Sequence, residues 1–395
     1  MTVQQVDLAA GPSVATIVGG PTLAKPRSKS YLFGPVLDFL GLGGGSVLAL
    51  IAILLIKPPQ EWHAEAATWA MILAIFINNP HFAYSYQIFY GNFREKAFGR
   101  SYSPLLRARY IVAGIVVPIL LAGFFYACVR GGDDVLLGVA GNAMGFFVGW
   151  HYVKQGYGMV IVDSVMKKRF FTAGEKKILL VNAYAVWAAS WLSVNASIQD
   201  IEFWGLHYYQ FAVPAIVVTV GTYFAYACGA VTLGMLGLKA MRGAAPPING
   251  TLAYLVSLYL WLLFVQINPF FLLITPAFHS LQYTVVVWRY RLNKEEGRRN
   301  ALAAERPELS RGALMRGSLL RHAGFTVLGL ALGGLGFWIL PSALDALVPY
   351  QKDIFGTALF LFMFWIFINV HHYFLDNVMW RRENPDTGKY LFGRT

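Results

Sequence analysis

From Tyr31 onward the chain alternates long apolar runs with short, mostly basic connectors. A helix of roughly 20 residues crosses the ~30 Å hydrocarbon core of a bilayer. On that measure ten spans are expected, over 32–57, 64–90, 108–129, 134–165, 177–198, 209–238, 250–272, 273–291, 322–348 and 354–380. The seventh and eighth are nearly continuous and require a tight turn near Pro269 to Pro276. Aromatic residues recur near many run ends, as interfacial anchoring predicts. The fold class is therefore an all-α, polytopic membrane helical bundle.

Composition agrees: 57% of residues are hydrophobic and 13% charged, where a soluble domain carries about a quarter charged residues. The net charge of +12 raises the question of nucleic acid. Its excess lies in the connectors, where membrane topology accounts for it, so no nucleic-acid partner is expected. Cys128 and Cys228 are too few for a thiolate zinc site and make an unconvincing disulfide.

Charge in the connectors also sets orientation. Lys25, Arg27 and Lys29 precede the first run; Arg94, Lys96, Arg100, Arg107 and Arg109 follow the second; Lys167, Lys168, Arg169, Lys176 and Lys177 follow the fourth. Further basic clusters follow the sixth run, fill 293–321 and close the chain from Arg381 and Arg382 to Arg394. The alternate connectors hold Asp133/Asp134, Asp200/Glu202 and Asp345/Asp353, with few cations. This alternation puts both termini in the cytoplasm and supports an even number of spans. The expected organisation is a cytoplasmic tail over 1–30, a transmembrane domain over 31–380 and a second tail over 381–395. Residues 293–321 read as a basic loop or a surface amphipathic helix. The first thirty residues lack the order of a signal peptide. A bacterial inner membrane is the expected location; the oligomeric state is left open.

Histidine falls inside four of the even-numbered runs: His81, His151, His279 and the pair His371/His372. All four runs head from outside to inside, and their histidines precede the first cation of the following cytoplasmic connector by 9 to 16 positions. At ~1.5 Å per residue this is roughly 14–24 Å, between the midplane and the cytoplasmic boundary. Histidine is costly in lipid, so a set at one depth suggests a shared metal or redox centre. His63, His207 and His322 fall at span ends and are read as interfacial.

Each histidine has polar neighbours on its own helical face. Asn78-Asn79-Pro80 precedes His81, and the proline removes an amide donor and kinks the helix. Gln155 stands four residues after His151; Lys154 reads as a snorkelling lysine, the alternative being a counter-charge to a substrate carboxylate or a metal-bound oxygen anion. Gln282 and Tyr283 share the face of His279. His371 and His372 point about 100° apart, so only one faces a common centre fully. Asp376 is the i+4 partner of His372, able to bind a metal or to hold a ligating imidazole. The candidate ligands are thus His81, His151, His279 and His371 or His372, with Asp376, Tyr283 and Gln155 as candidate catalytic residues.

His-Tyr-Phe-Leu-Asp at 372–376, with lone histidines scattered over several helices, resembles the Brp/Blh family of membrane β-carotene dioxygenases. The likeness covers the four histidine helices. It implies an O2-using iron site with His81, His151, His279 and His372 as first candidates. It does not fix the substrate beyond an apolar, lipid-like molecule of the carotenoid or isoprenoid kind. The HxxxH and HxxHH boxes of membrane desaturases are absent.

Three functions follow. The first is a non-haem iron oxygenase using O2 on an apolar small molecule within membrane lipid. The second is an electron carrier with b-type haem held by histidine pairs, another transition metal being the further option. The third is a transporter with a histidine relay, which predicts ionisable groups on both sides of the midplane. The confinement of the histidines to one leaflet argues against it.

Overall fold

The computed structural model describes residues 30–59, 61–197, 202–203, 205–264, 267, 270–381 and 383–392, and within these a helix occupies each expected apolar stretch. Of the sequence expectations, most of the 1–30 tail with Lys25, Arg27 and Lys29, together with Asp200, Pro269, Arg382 and Arg394, lies outside the described residues. The helices are α1 (Pro35–Ile56), α2 (Trp62–Leu73, continued through Ala74–Asn78 and Asn79–Tyr90), α3 (Phe93–Phe98), α4 (Pro104–Gly131) and α5 (Asp134–Met166). They continue as α6 (Ala173–Ser197), α7 (Ala215–Met241), α8 (Ile248–Phe264), α9 (Phe270–Glu305), α10 (Arg311–Leu347), α11 (Lys352–Phe355), α12 (Leu359–Met379) and α13 (Pro385–Phe392). A two-residue hairpin, β1 (Glu202–Phe203) with β2 (Leu206–His207), joins α6 to α7.

Among the described residues, six of these helices are long and apolar enough to cross a membrane: α1, α4, α6, α7, α10 and α12. The chain is a multi-pass, all-α membrane bundle. Its surface is apolar where a soluble protein would be polar: α7 exposes Ile216, Val220, Tyr223 and Phe224, and α10 exposes Leu319, Val327 and Ile339. The interior holds polar groups that pair with one another. Asn142 Nδ2 donates to Asn195 Oδ1 at 2.6 Å, and Asp163 Oδ2 accepts the Gly250 N–H at 2.7 Å.

Burial separates inner from outer helices. Half of the apolar window of α12 is buried, against 17% of that of α7. The inner helices α2, α5, α9 and α12 carry the histidines; α8 packs closely on α5. Small residues bring α5 and α8 together: a methyl on Gly156 would meet Ser257 Cβ at 2.7 Å, and one on Gly250 would meet Asp163 Cβ at 2.6 Å. Side-chain caps fix where helices start. Asp133 Oδ1 accepts the Leu136 N–H at 2.8 Å to open α5, and Asp345 Oδ1 accepts the Phe360 N–H at 2.8 Å to open α12.

Two expectations change. Pro276 lies within α9 and not in a turn. Residues 293–321 form neither a loop nor a separate surface helix. Residues 293–305 prolong α9, a short turn follows, and α10 begins at Arg311. Buried Glu295 ties the two helices, accepting from Arg321 Nε at 2.6 Å and Arg291 at 3.4 Å.

Among the described residues four helices contain a wide π-type turn: Ala74–Asn78 in α2, Val112–Val116 in α4, Leu260–Phe264 in α8 and Leu335–Ile339 in α10, whereas α1 is kinked at Gly43, whose backbone is not helical. Such turns insert one residue into the helix and loosen its hydrogen-bond ladder.

Candidate metal centre

The kink in α2 does more than bend the helix. The wide turn ends at Asn78, and His81 Nδ1 lies 2.6 Å from the Asn78 carbonyl oxygen. A carbonyl only accepts, so Nδ1 carries the proton and Nε2 carries the lone pair. Ser280 completes the clamp, donating to Asn78 Oδ1 at 2.7 Å and standing 3.0 Å from His81 Nδ1. His81 Nε2 is buried without a hydrogen-bond partner.

The other rings converge on the same place. His81 lies 5.5 Å from His279 and 4.8 Å from His372, centre to centre. His151 lies 4.9 Å from His279 and 4.7 Å from His372. These are four sides of a quadrilateral drawn from α2, α9, α5 and α12. Imidazole nitrogens bound at about 2.0–2.1 Å to one ion put neighbouring ring centres about 5 Å apart. His279 Nε2 and His372 Nδ1 are also buried without partners. Three orphaned nitrogens in an apolar interior are costly unless something binds them.

Asp376 stands beside this ring. Its Oδ2 lies 3.6 Å from His372 Nε2 and 3.8 Å from His151 Nε2, which are themselves 3.2 Å apart. Candidate ligand atoms of His151, His372 and Asp376 all lie within 4.8 Å of one another, close enough to share one ion. Asp376 Oδ1 accepts from the Tyr283 hydroxyl at 3.0 Å, and Ser85 Oγ bonds the same hydroxyl. One carboxylate oxygen is thus anchored and the other left to the histidines.

The ambiguity within the pair His371/His372 is resolved by packing. His371 turns away from the ring, accepting from Tyr86 Oη at Nδ1 (2.7 Å) and donating from Nε2 to the Ala113 carbonyl (2.9 Å). Both nitrogens are used, so His371 is a structural histidine and leaves the ligand set. Gln155 is likewise engaged: its Nε2 donates to the His279 carbonyl at 3.0 Å and to Gln282 Oε1 at 3.1 Å. Only its buried Oε1 lacks a partner. Gln282 in turn accepts from Ser257 at 3.0 Å and donates to the Leu42 carbonyl at 2.6 Å, linking α8, α9 and α1. Gln155 therefore positions the backbone that carries His279.

Tyr152 was not legible as a site residue. It stacks flat on His279, with ring centres 3.7 Å apart and planes 7° apart. Its place directly after His151 was the available signal. Lys154 lies against the rings of Trp150 and Tyr157, at 5.5 and 5.7 Å. His207 is exposed on β2, 3.4 Å from Glu202, and His322 lies apart on α10. His63 sits in the first turn of α2.

A cavity of about 520 Å3 opens beside the ring and reaches His151, Gln155, Tyr283 and Asp376. No sequence family matches the chain, and neither a characterised protein nor a solved structure is detectably similar to it.

Proposed function

We propose that this chain is an integral-membrane oxygenase in which a histidine-bound, non-haem iron acts with O2 on an apolar, lipid-like substrate. The observation that carries this reading is the convergence of His81, His151, His279 and His372 beside Asp376. Two histidines and a carboxylate with further open positions are the donor set of many non-haem iron(II) oxygenases, and His151, His372 and Asp376 have that composition. The orphaned Nε2 atoms of His81 and His279 fit additional nitrogen ligation. The likeness to Brp/Blh dioxygenases belongs to this proposal, with a carotenoid or isoprenoid as one substrate class.

Bound iron would supply binding and activation of O2. The protein's own residues do the rest. The Tyr283 hydroxyl donates to Asp376 Oδ1 and so keeps Oδ2 turned to the histidines. Asn78 and Ser280 fix the tautomer of His81. Apolar residues such as Val162 and Val286 line the cavity and favour an apolar chain over water. The haem alternative draws less support. Neighbouring rings of His81, His151, His279 and His372 pack edge to face, 4.7 to 5.5 Å between centres, and leave no gap between them for a porphyrin.

We further infer ten crossings with both termini on the cytoplasmic side, in a bacterial plasma membrane. The alternation of basic and acidic connectors supports this; a reporter fused to the C-terminus that is active only outside the cytoplasm should stay silent.

Elemental analysis and an absorption spectrum of the purified protein test the main reading. About one iron per chain is expected, without a haem band. His279→Ala should lose the metal and His63→Ala should keep it. A folded, active, metal-free protein would overturn the proposal.

A further inference from the structure

The cavity beside the ring has an uneven distribution of charge. Its inner end is formed by His151, Tyr283 and Asp376. Lys154, Lys176 and Arg381 line it as well, and they mark its outer end. Lys176 sits in the first turn of α6, and Arg381 lies just past the last turn of α12. Lys154 stands one turn beyond His151 on α5.

Two of these cations stand outside the internal ion pairs. Among the described residues, no carboxylate lies within 4.0 Å of the Lys154 or Lys176 amine. Lys154 is braced by aromatic faces, which leave its ammonium free to accept an anion. Arg381 is partly neutralised by Glu383 at 3.2 Å, an acid that also lines the cavity and that it shares with Arg109, and its other nitrogens donate to Asn377, so the two lysines carry most of the free positive charge. Between the two ends the wall is largely apolar.

We infer that the cavity binds an amphiphile with an anionic head group, a carboxylate or a phosphate monoester. Lys154, Lys176 and Arg381 hold the head, and the apolar chain runs inward to the histidine ring. The inference rests on the proposed function only for what happens at the inner end. Recognition of the head group is a separate property, readable without turnover or metal.

Trp150 and Trp380 line the cavity and report on an occupant. The probe is 5-doxyl-stearic acid, titrated into protein in neutral detergent while tryptophan fluorescence is followed, beside its methyl ester. Saturable quenching is expected, with the ester at least about tenfold weaker. Lys154→Met and Lys176→Met should each shrink the acid–ester ratio several-fold, Lys154→Arg should restore it, and Lys177→Met, outside the cavity, should leave it alone. Competition by laurate and by dodecyl phosphate separates the two head groups; displacement by either supports the inference.

Equal binding of acid and ester by the unmodified protein would overturn it, whatever the variants do. So would a ratio as sensitive to Lys177 as to Lys154. Protein that takes up no iron on reconstitution yet still prefers the acid would sink the proposed oxygenase and leave the head-group site standing.

Discussion

Tyr152 lies flat against His279, ring on ring at 3.7 Å, although the two residues come from different helices, α5 and α9. The stack fixes the plane of an imidazole whose Nε2 has no other partner. Tyr152→Phe keeps the plate and should retain metal. Tyr152→Ala removes it and should weaken metal binding about tenfold, within the range for groups that orient ligands. Chelator competition on the two purified variants checks this; equal retention by both would discount the stack.

Adjacent histidines on α12 should behave as opposites. His372→Ala is expected to lose metal. His371→Ala should keep it but unfold more readily, by about 1–3 kcal/mol, because the Tyr86 hydroxyl and the Ala113 carbonyl lose a buried partner. Metal content and thermal melting, measured together, distinguish the two.

Tyr283→Phe deletes the donor to Asp376 Oδ1 and leaves the ring shape intact. The carboxylate then has freedom to rotate away from His151 and His372. Metal affinity should fall about 10- to 100-fold with the fold preserved. Asp376→Asn should fall at least as far, since it removes the anion as well.

Lys96, in the short helix α3 outside the membrane-spanning segments, donates to the Ile88 and Phe89 carbonyls at 2.6 and 3.1 Å and so caps the end of α2. Burial pushes its ammonium down to about 8. The unfolded chain holds that proton up to its ordinary value of 10.5. Between those limits the unfolded state binds more protons, so stability should rise with pH across the window. The gain is on the order of 2–3 kcal/mol, at roughly 1.4 kcal/mol per pKa unit. Melting curves from pH 8 to 10 should show a slope that Lys96→Met abolishes; an unchanged slope would assign it to other groups.

Much of this arrangement was legible in the sequence because lipid imposes a simple rule. Long apolar runs placed the helices, and similar distances from the basic connectors put His81, His151, His279 and His372 in one leaflet. What remained hidden depends on packing. The pair His371/His372 differs by one residue, and only Tyr86 and the Ala113 carbonyl decide which ring turns inward. Gln155 shares a face with His151 yet is claimed by the His279 carbonyl and Gln282 on a neighbouring helix. Residues 293–305 are polar, which reads as loop, but α9 needs only its own hydrogen bonds and its tie through Glu295 to continue past the apolar stretch.

Two of the wide turns and the kink of α1 each lend a carbonyl to a side chain: Asn78 to His81, Ala113 to His371 and, at the kink, Leu42 to Gln282. In α2 the turn also separates two surroundings. Before it, Trp69, Ile72 and Leu73 are exposed; after it, Asn79 through Ser85 are all buried. The extra residue therefore works as a phase adjuster, a rotation of about 100° stored in the chain. Shortening 74–78 by one residue would turn the two halves of α2 against each other. Either the lipid-facing half or His81 would have to leave its place, so the length of this stretch is as constrained as the identity of the histidine it aims.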